Sequence, residues 1–124
     1  GDGAFLMHGS EVSTAQAYKL GAIWVVLNDH DLHMVTQGMS ILHPDAKSSK
    51  VYDSLYGLGK PDLVKFAEGL GADAYGIDDP DQLAKLMPVV LKAAAKGRPQ
   101  VIVARIDKKQ VPPYYNPAYL PPHA

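Results

Sequence analysis

Hydrophobic positions in the first quarter of the chain predict one helix followed by one strand. Residues 10–20 carry apolar side chains at helical spacing, Ser10 suits the N-cap, and Gly21 is predicted to end this helix in the C′ position. Residues 22–27 then form an uninterrupted apolar run. Such a run is typical of a strand that is buried on both faces of a parallel sheet.

The same alternation continues in the second half of the chain. Pro61 suits the first turn of a helix whose apolar face ends at Gly71. Residues 74–77 and 100–106 are predicted to be strands, the second because it is rich in β-branched residues. Helices that alternate with strands indicate an α/β domain with a mostly parallel sheet, covered by helices on both faces.

The helix between these two strands has a clear start signal. Asp79 suits the N-cap, Pro80 the first helical position and Gln82 the third, and the helix is predicted to run towards Lys96. Pro88 lies inside this helix. Because proline has no backbone N–H group, Pro88 is predicted to kink or split the helix.

Two segments are less regular than the rest. Residues 38–60 contain several glycines and serines and are predicted to be a long loop, which in a compact domain is commonly either a functional lid or disordered. The C-terminal tail, residues 111–124, places tyrosines among prolines. It is predicted to be neither a helix nor a central strand and to lie extended against another surface.

Composition narrows the class of protein. The chain has 124 residues, of which 47% are hydrophobic and 20% charged, which is typical of one globular domain. The net charge is −1 and the basic residues are spread along the chain, so nucleic acid or an anionic membrane is a disfavoured partner. The absence of cysteine excludes disulfides and thiol chemistry in this chain and is compatible with the cytoplasmic location that we expect.

The chain begins on Gly1 without a methionine, within what reads as a Gly-Asp-Gly turn. A turn of this kind is normally fed by a strand. We therefore expect the first strand of the sheet to be missing from this sequence, and residues 1–124 to be a single, partial domain of a larger protein.

Two polar segments carry the candidate chemistry, Gly1–Gly3 and Asn28–Asp31. They are separated by 24 residues, from Ala4 to Leu27, which is enough for one helix and one strand. One such crossover unit can bring both segments to the same edge of a sheet. In parallel sheets this edge, beyond the carboxyl ends of the strands, is where ligands bind.

The residue types in these segments suit a cation and an anion together. Glycines allow the backbone to approach an anion closely, and the amides of Gly3 and Ala4 open a helix. Asp2, Asp29 and a nearby backbone carbonyl would form an oxygen site suited to a hard divalent cation. The sequence therefore predicts a magnesium-bridged diphosphate site.

A zinc site built from Asp29, His30, Asp31 and His33 is a disfavoured alternative, because neighbouring residues of one loop rarely all face one metal. The two histidines are more often simply polar loop residues. A role for either in proton transfer near a substrate is the less common alternative.

These motifs resemble a known family. Gly1-Asp2-Gly3 followed by Asn28-Asp29 resembles the signature of thiamin diphosphate (also called thiamine pyrophosphate) enzymes. Pro61–Ala67, Asp79–Asp81 and Gly97–Gln100 resemble stretches of the C-terminal diphosphate-binding domain of the acetolactate synthase and 2-oxo acid decarboxylase family. The resemblance covers nearly the whole chain and implies the thiamin diphosphate-binding fold.

The resemblance also implies roles for individual residues. Asp2 and Asp29 would bind Mg²⁺ through their side chains, and Asp31 would bind it through its backbone carbonyl. Gly3 and Ala4 would contact the diphosphate through their amides. The rest of the cofactor-lining loop would be His30, Leu32, His33 and Met34.

Two positions depart from the family pattern. Asp29 stands where asparagine is commoner, which adds negative charge to the metal site but keeps an oxygen ligand. Gly38 stands where biosynthetic acetolactate synthases generally carry a tryptophan that shapes the substrate pocket. The second departure bears on which reaction is catalysed.

The implied activity is that of a lyase or transferase that decarboxylates a 2-oxo acid and passes the product to an acceptor. Simple decarboxylation, and a non-catalytic module that binds cofactor or docks on a partner, are the alternatives. No catalytic residue is expected in this chain, because the family's activating glutamate lies before Gly1 and belongs to another subunit. An upstream pyrimidine-binding domain or separate subunit, and a homodimer or homotetramer, are therefore implied; FAD occurs in the family but is not indicated by this chain.

Overall fold

The computed structural model describes residues 1–43, 45 and 52–110. Within them it contains six helices and three strands. In chain order these are α1 Asp2–His8, α2 Glu11–Ala17, β1 Ile23–Asn28, α3 His33–Leu42, α4 Tyr52–Tyr56, α5 Leu63–Gly69, β2 Asp73–Ile77, α6 Pro80–Ala94 and β3 Gln100–Arg105. The proline- and tyrosine-rich tail at 111–124 lies outside the described residues.

The three strands form one parallel sheet in the order β1-β3-β2. Gln100 at the start of the central strand β3 pairs with Ile23 of β1 and with Asp73 of β2, so all three strands begin at the same level. The α/β class with a parallel sheet is confirmed. The carboxyl ends of the strands meet at one edge, where the polar segment after β1 lies.

Apolar side chains fill a core on each face of the sheet. On one face, Val101 and Val103 pack with residues of β1, α1, α2 and α5. On the other face, Ile102 packs with Ile77 of β2 and Val90 of α6. The alternation within β3 follows from strand geometry, since successive side chains point to opposite faces. Helices therefore cover both faces of the sheet.

The predicted burial of β1 on both faces is wrong. Val26 is buried, but Val25 is 53% exposed, and Ile23 and Leu27 on the same face are also exposed. The reason is the strand order: β1 lies at one side of the described sheet, and α6 packs on β2 and β3. One apolar face of β1 is therefore left uncovered by the described residues.

The N-terminal segment differs from its prediction in two ways. Gly1–Gly3 is not an isolated turn, because α1 begins directly at Asp2. The helix predicted at 10–20 is the shorter α2, and Lys19, with φ 53°, takes the left-handed conformation predicted for Gly21. Ser10 occupies the N-cap position without a side-chain capping bond.

Gly21 has a packing role that the sequence did not reveal. A Cβ at Gly21 would lie 1.8 Å from the carbonyl oxygen of Ala94, at the end of α6. The atoms of Ala94 that approach Gly21 belong to the backbone and cannot move aside as a flexible side chain would. The backbone of the segment before β1 therefore contacts the backbone of α6. Only glycine permits this approach.

Substitution of Gly21 by alanine is therefore expected to lower the free energy of unfolding by about 1–3 kcal/mol, as overpacking does. Gly69 is the matched control, because a Cβ there would meet no atom within 4 Å. Gly69→Ala should change stability by about 1 kcal/mol or less. Urea denaturation measures both, and equal effects of the two substitutions would contradict the close approach of the two backbones.

The single long loop predicted at 38–60 is wrong where the structure shows helices. Helix α3 continues through Gly38 to Leu42, and α4 covers Tyr52–Tyr56. A glycine inside a helix costs only about 1 kcal/mol relative to alanine, so Gly38 does not end α3. Residues 44 and 46–51 lie outside the described residues.

The helix starts in the second half are set by aspartates. Helix α5 begins at Leu63, so Pro61 precedes the helix and does not lie in its first turn as predicted. Asp62 caps α5 by accepting the N–H of Lys65 at 3.0 Å, and Gly71, with φ 93°, follows the end of this helix as predicted. Asp79 caps α6 by accepting the N–H of Asp81 at 2.7 Å, also as predicted. These starts are local features, so the sequence signals were close to the observed positions.

Helix α6 is not split at Pro88, since it runs unbroken from Pro80 to Ala94. Pro88 removes the hydrogen bond to the carbonyl of Ala84, and both residues lie on the exposed side of the helix. Water can therefore satisfy that carbonyl, which explains why the helix continues.

Candidate functional site

The two polar segments singled out in the sequence lie in contact at the carboxyl edge of the sheet. The Asp2 carboxylate joins them: its Oδ2 accepts the backbone N–H of His30 at 2.7 Å, and its Oδ1 accepts the N–H of Gly3 at 2.9 Å. Asp2 is only 4% exposed. A buried carboxylate with two backbone donors is held rigidly, so the start of α1 and the loop after β1 form one structural unit.

His30 turns the loop back across the sheet edge. Its φ of 61° is in the left-handed region, which is uncommon for a residue with a side chain. Its N–H is also 3.2 Å from the Oδ1 of the buried Asn28, and its carbonyl accepts the N–H of Leu58 at 3.1 Å. Hydrogen bonds from both sides therefore hold the strained conformation in place.

Asp29 contacts residues of its own loop through both carboxylate oxygens. Oδ1 accepts the N–H of Asp31 at 3.2 Å, and Oδ2 lies 2.8 Å from Nδ1 of His33. His33 is the first residue of α3, and its Nε2 lies 2.9 Å from Nε2 of Gln37 one turn later. The start of α3 thus fixes the orientation of the Asp29 side chain.

Asp31 carries a buried oxygen that finds no hydrogen-bond donor among the described residues. This oxygen is Oδ1, while Oδ2 lies 3.9 Å from the ammonium of Lys108. Burial raises the pKa of the Asp31 carboxyl above its ordinary value, although the nearby Lys108 and His33 act in the opposite direction. A buried carboxylate oxygen without a donor is costly, so a cation or hydrogen-bond donor next to Asp31 would be stabilised.

A cleft of about 310 Å³ opens between the two segments. Its polar wall comes from the start of α1 and the loop after β1; its apolar wall comes from Leu27, Leu32, Met34, Val35 and Ile106. Gly3 lies directly against this wall, because a Cβ there would be 2.8 Å from Cδ2 of Leu32. A cleft with one apolar wall and one polar wall suits a ligand with one apolar and one ionic part.

Eight of the nine residues predicted to bind cofactor line this cleft. They are Asp2, Gly3, Ala4, Asp29, Asp31, Leu32, His33 and Met34. The ninth, His30, faces a second cavity of about 510 Å³ on the other side of the loop, together with Asp31, Lys60 and Lys108. The structure therefore brings the candidate residues together, with His30 contributing its backbone N–H to Asp2.

Across residues 1–43, 45 and 52–110, histidine, aspartate and glutamate side chains form no group of three or more that could hold a metal ion. The disfavoured zinc site is therefore not assembled there. The expected ligands of magnesium differ from such a group of side chains, because they are two carboxylates and one backbone carbonyl. The assignment of these ligands remains a prediction.

Sequence reasoning missed the contacts of three residues that shape this site, of which Asn28 was singled out only as part of the Asn28–Asp31 segment. Asn28 and Gln37 support the loop by hydrogen bonds, and Lys108 reaches Asp31 from the segment after β3. Lys108 had a usable signal, since segments that follow neighbouring parallel strands meet at the same sheet edge. The roles of Asn28 and Gln37 depend on side-chain directions that no spacing rule predicts.

No helix within the described part of the chain is both long and apolar enough to cross a bilayer.

Comparison with known proteins links this geometry to a family. A model of the family described as "Thiamine pyrophosphate enzyme, C-terminal TPP binding domain" matches residues 1–104. The chain is 35% identical over 107 residues to IlvB2 of Mycobacterium tuberculosis, which is named as a putative acetolactate synthase large subunit, and the match covers 86% of this chain. It is 30% identical over 110 residues to the acetolactate synthase large subunit of Buchnera aphidicola from Acyrthosiphon pisum, covering 89% of this chain.

A further relative is the acetolactate synthase isozyme 3 large subunit of Escherichia coli, which is 30% identical over 107 residues, or 86% of this chain. The chain spans only 18% of the length of each of these three relatives. The similarity therefore concerns one domain of these proteins.

Proposed function

Because the chain belongs to the family of C-terminal TPP-binding domains of thiamine pyrophosphate enzymes, we propose that it binds Mg²⁺ and the diphosphate of thiamin diphosphate for an acetolactate synthase-like enzyme. The observation that carries this proposal is the buried Asp2 carboxylate, whose bond to the His30 N–H at 2.7 Å joins the Gly-Asp-Gly and Asn-Asp segments across one cleft. Both halves of the sequence signature thereby face the same ligand space.

The proposed cation ligands are the carboxylates of Asp2 and Asp29 and the carbonyl of Asp31. Asp31 pairs with Gly57 in an antiparallel bridge. The hydrogen bonds of this bridge are made by the residues on either side of Asp31, His30 and Leu32. The N–H and C=O of Asp31 therefore point away from Gly57. Since that N–H meets Oδ1 of Asp29 at 3.2 Å, the Asp31 carbonyl would face the same space as the Asp29 carboxylate, which supports its proposed role as a ligand.

The proposed diphosphate contacts are the amides of Gly3 and Ala4 at the start of α1. The backbone ladder of α1 begins with the N–H of Phe5, which donates to the carbonyl of Gly1 at 3.0 Å. The Gly3 and Ala4 amides precede that bond, so neither has an acceptor within the helix ladder. The Gly3 N–H donates to Oδ1 of Asp2 at 2.9 Å, so it would contact the diphosphate by sharing this donor between the two acceptors. Asp2 would repel a diphosphate by itself, and the cation between them removes that repulsion.

The apolar wall of the cleft would face the less polar part of the cofactor. Leu32 and Met34 line the cleft together with Gly3 and Ala4, and Leu32 packs against Gly3. Met34 is 65% exposed, so Leu32 is the side chain that would limit the access of water to a bound cation and diphosphate. Electrostatic attraction is stronger where water is excluded, so an apolar side chain here would support the polar groups.

The reaction is proposed at the level of the whole enzyme. When bound, thiamin diphosphate supplies the chemistry that decarboxylates a 2-oxo acid, while this domain anchors the cofactor and neutralises its charge. Transfer of the product to an acceptor is proposed because the relatives are named acetolactate synthases. Simple decarboxylation is the alternative, because Gly38 stands where those enzymes generally carry tryptophan.

The remaining parts of the enzyme are proposed to lie outside residues 1–124. An upstream pyrimidine-binding domain, or a separate subunit, would carry the activating glutamate. The whole enzyme is proposed to be a cytoplasmic homodimer or homotetramer. This arrangement explains why the cleft is lined by anchoring groups and why no catalytic residue is assigned here.

The test compares the 124-residue chain with the full-length protein, each supplied with a 2-oxo acid, Mg²⁺ and thiamin diphosphate. We expect product only from the full-length protein. Chromatography of the products separates a carboligation product from the aldehyde of simple decarboxylation. Turnover by the 124-residue chain would overturn the assignment of the catalytic groups to other segments, and cofactor binding without turnover in the full-length protein would indicate a binding module.

A further inference from the structure

We infer that His33 is a positioning residue for the cation site, which fixes the Asp29 carboxylate and offsets its charge. This inference rests on the proposed function. Asp29 brings a negative charge to a position where asparagine is commoner in the family that the chain resembles. Together with Asp2 and a diphosphate, that charge would make the site strongly anionic.

The Asp29–His33 contact is short and shielded from solvent. Nδ1 of His33 lies 2.8 Å from Oδ2 of Asp29, within the range of charge-assisted hydrogen bonds. The side chains are 18% exposed for His33 and 8% exposed for Asp29. A hydrogen bond that is shielded from water is electrostatically stronger than an exposed one, so the donor stabilises the negative carboxylate effectively.

Gln37 determines which ring nitrogen of His33 carries the proton that is donated to Asp29. Its Nε2 lies 2.9 Å from Nε2 of His33, and an amide nitrogen can only donate. Nε2 of His33 therefore accepts this hydrogen bond, and Nδ1 carries the proton that is donated to Asp29. Because Gln37 follows His33 by one turn of α3, the helix itself holds the imidazole in this tautomer.

The result is a relay of hydrogen bonds from Gln37 through His33 to Asp29. With Oδ2 bound to His33 and Oδ1 bound to the N–H of Asp31, the carboxylate plane is fixed from two sides. Partners of this kind behind a metal ligand typically change metal affinity 10–100-fold when they are removed. His33 is thus more than a loop residue, because it fixes the direction of the Asp29 carboxylate and donates a hydrogen bond to its negative charge.

The first measurement uses the full-length protein with Mn²⁺ as the probe cation and thiamin diphosphate present, followed by electron paramagnetic resonance. His33→Ala should weaken Mn²⁺ binding about tenfold. His33→Asn, whose amide nitrogen can replace Nδ1 as donor, should keep affinity close to that of the unaltered protein. His43→Ala is the matched control, since His43 is an exposed histidine just after α3 and should leave Mn²⁺ affinity unchanged.

The second measurement separates positioning from a merely structural contribution. In an Asp29→Asn background the charge that His33 offsets is gone, so adding His33→Ala should weaken Mn²⁺ binding far less than it does alone. Unfolding temperatures without cation show whether each variant is folded. If His33→Ala does not fold, the comparison of His33→Asn with Gln37→Leu replaces it, and only Gln37→Leu should lose affinity.

Two results would overturn the inference. One is unchanged Mn²⁺ affinity in His33→Ala; the other is an equal loss of affinity whether His33→Ala is made in the unaltered protein or in the Asp29→Asn variant. Failure of the unaltered protein to bind Mn²⁺ with thiamin diphosphate would instead refute the proposed function, and this inference with it. The two failures are therefore distinguished by the unaltered protein.

Discussion

Substitution of Asp2 by alanine is expected to abolish magnesium-dependent binding of thiamin diphosphate, with affinity lowered about a hundredfold or more, at or beyond the upper range for groups around a metal. The substitution removes one of two proposed carboxylate ligands. It also removes the acceptor that joins the start of α1 to the loop after β1 through the His30 N–H. Loss of a ligand and loss of the alignment of the two segments act in the same direction.

The measurement is calorimetric titration of the full-length protein with thiamin diphosphate, with and without Mg²⁺. Asp2→Asn keeps the shape and one oxygen and should bind with intermediate affinity. Asp78→Ala is the matched control, because Asp78 follows β2 at the same sheet edge but pairs with Arg105 at 3.0 Å and lies outside the cleft. Undiminished cofactor affinity in Asp2→Ala would remove the metal hypothesis.

Asp2→Ala should also affect folding, because it removes the acceptor of the Gly3 N–H and leaves the His30 N–H with only the longer contact to Oδ1 of Asn28, at 3.2 Å. An unsatisfied buried donor costs about 1–3 kcal/mol. Thermal unfolding without cofactor therefore accompanies the titration. A variant that unfolds well above the assay temperature yet binds no cofactor isolates the binding effect from the stability effect.

Substitution of Ile102 by alanine is expected to lower the free energy of unfolding by about 2–5 kcal/mol, as for other fully buried isoleucines. Ile102 lies in the middle of the central strand, is 0% exposed, and packs with Ile77 and Val90. Its removal opens a cavity between the sheet and α6. Neighbouring strands on both sides prevent β3 from moving to fill that cavity.

Val25 offers a matched control for this prediction. It pairs directly with Ile102 in the sheet and points to the same face, yet it is 53% exposed. Val25→Ala should therefore cost well under 1 kcal/mol in this chain, since surface substitutions usually change stability by about 0.5 kcal/mol or less. Urea denaturation of both variants checks the comparison, and similar losses would show that β1 is buried on this face after all.

Local features of this fold were predictable from the sequence. The strands at 74–77 and 100–106 were predicted within one residue of β2 and β3, and Asp79 and Pro80 start α6 as their residue types indicate. These signals depend on a few neighbouring residues: β-branched side chains favour strands, and a carboxylate before a helix accepts its free N–H groups. Interactions within a short stretch of sequence are therefore enough to predict these strands and this helix start.

Features that depend on distant contacts were predicted wrongly or missed. Lys19, not Gly21, adopts the left-handed conformation, and Gly21 instead makes a backbone contact with α6. The apolar run of β1 suggested burial on both faces, but strand order leaves Val25 exposed. Neither outcome can be read from a window of sequence, since each depends on where α6 packs.

The candidate site also has some features that the sequence predicts and others that depend on distant contacts. The sequence by itself determined the pairing of two polar segments, because residue types and a spacing of one crossover unit bring Asp2 and Asp29 to one sheet edge. Only the tertiary structure decided what each side chain contacts. Asp2 bonds to the loop backbone, Asp29 bonds to His33, and Asp31 keeps a buried oxygen that has no partner in the described part of the chain. The physical reason is that strand topology follows from periodic patterns, whereas a hydrogen bond depends on side-chain directions within a few tenths of an ångström.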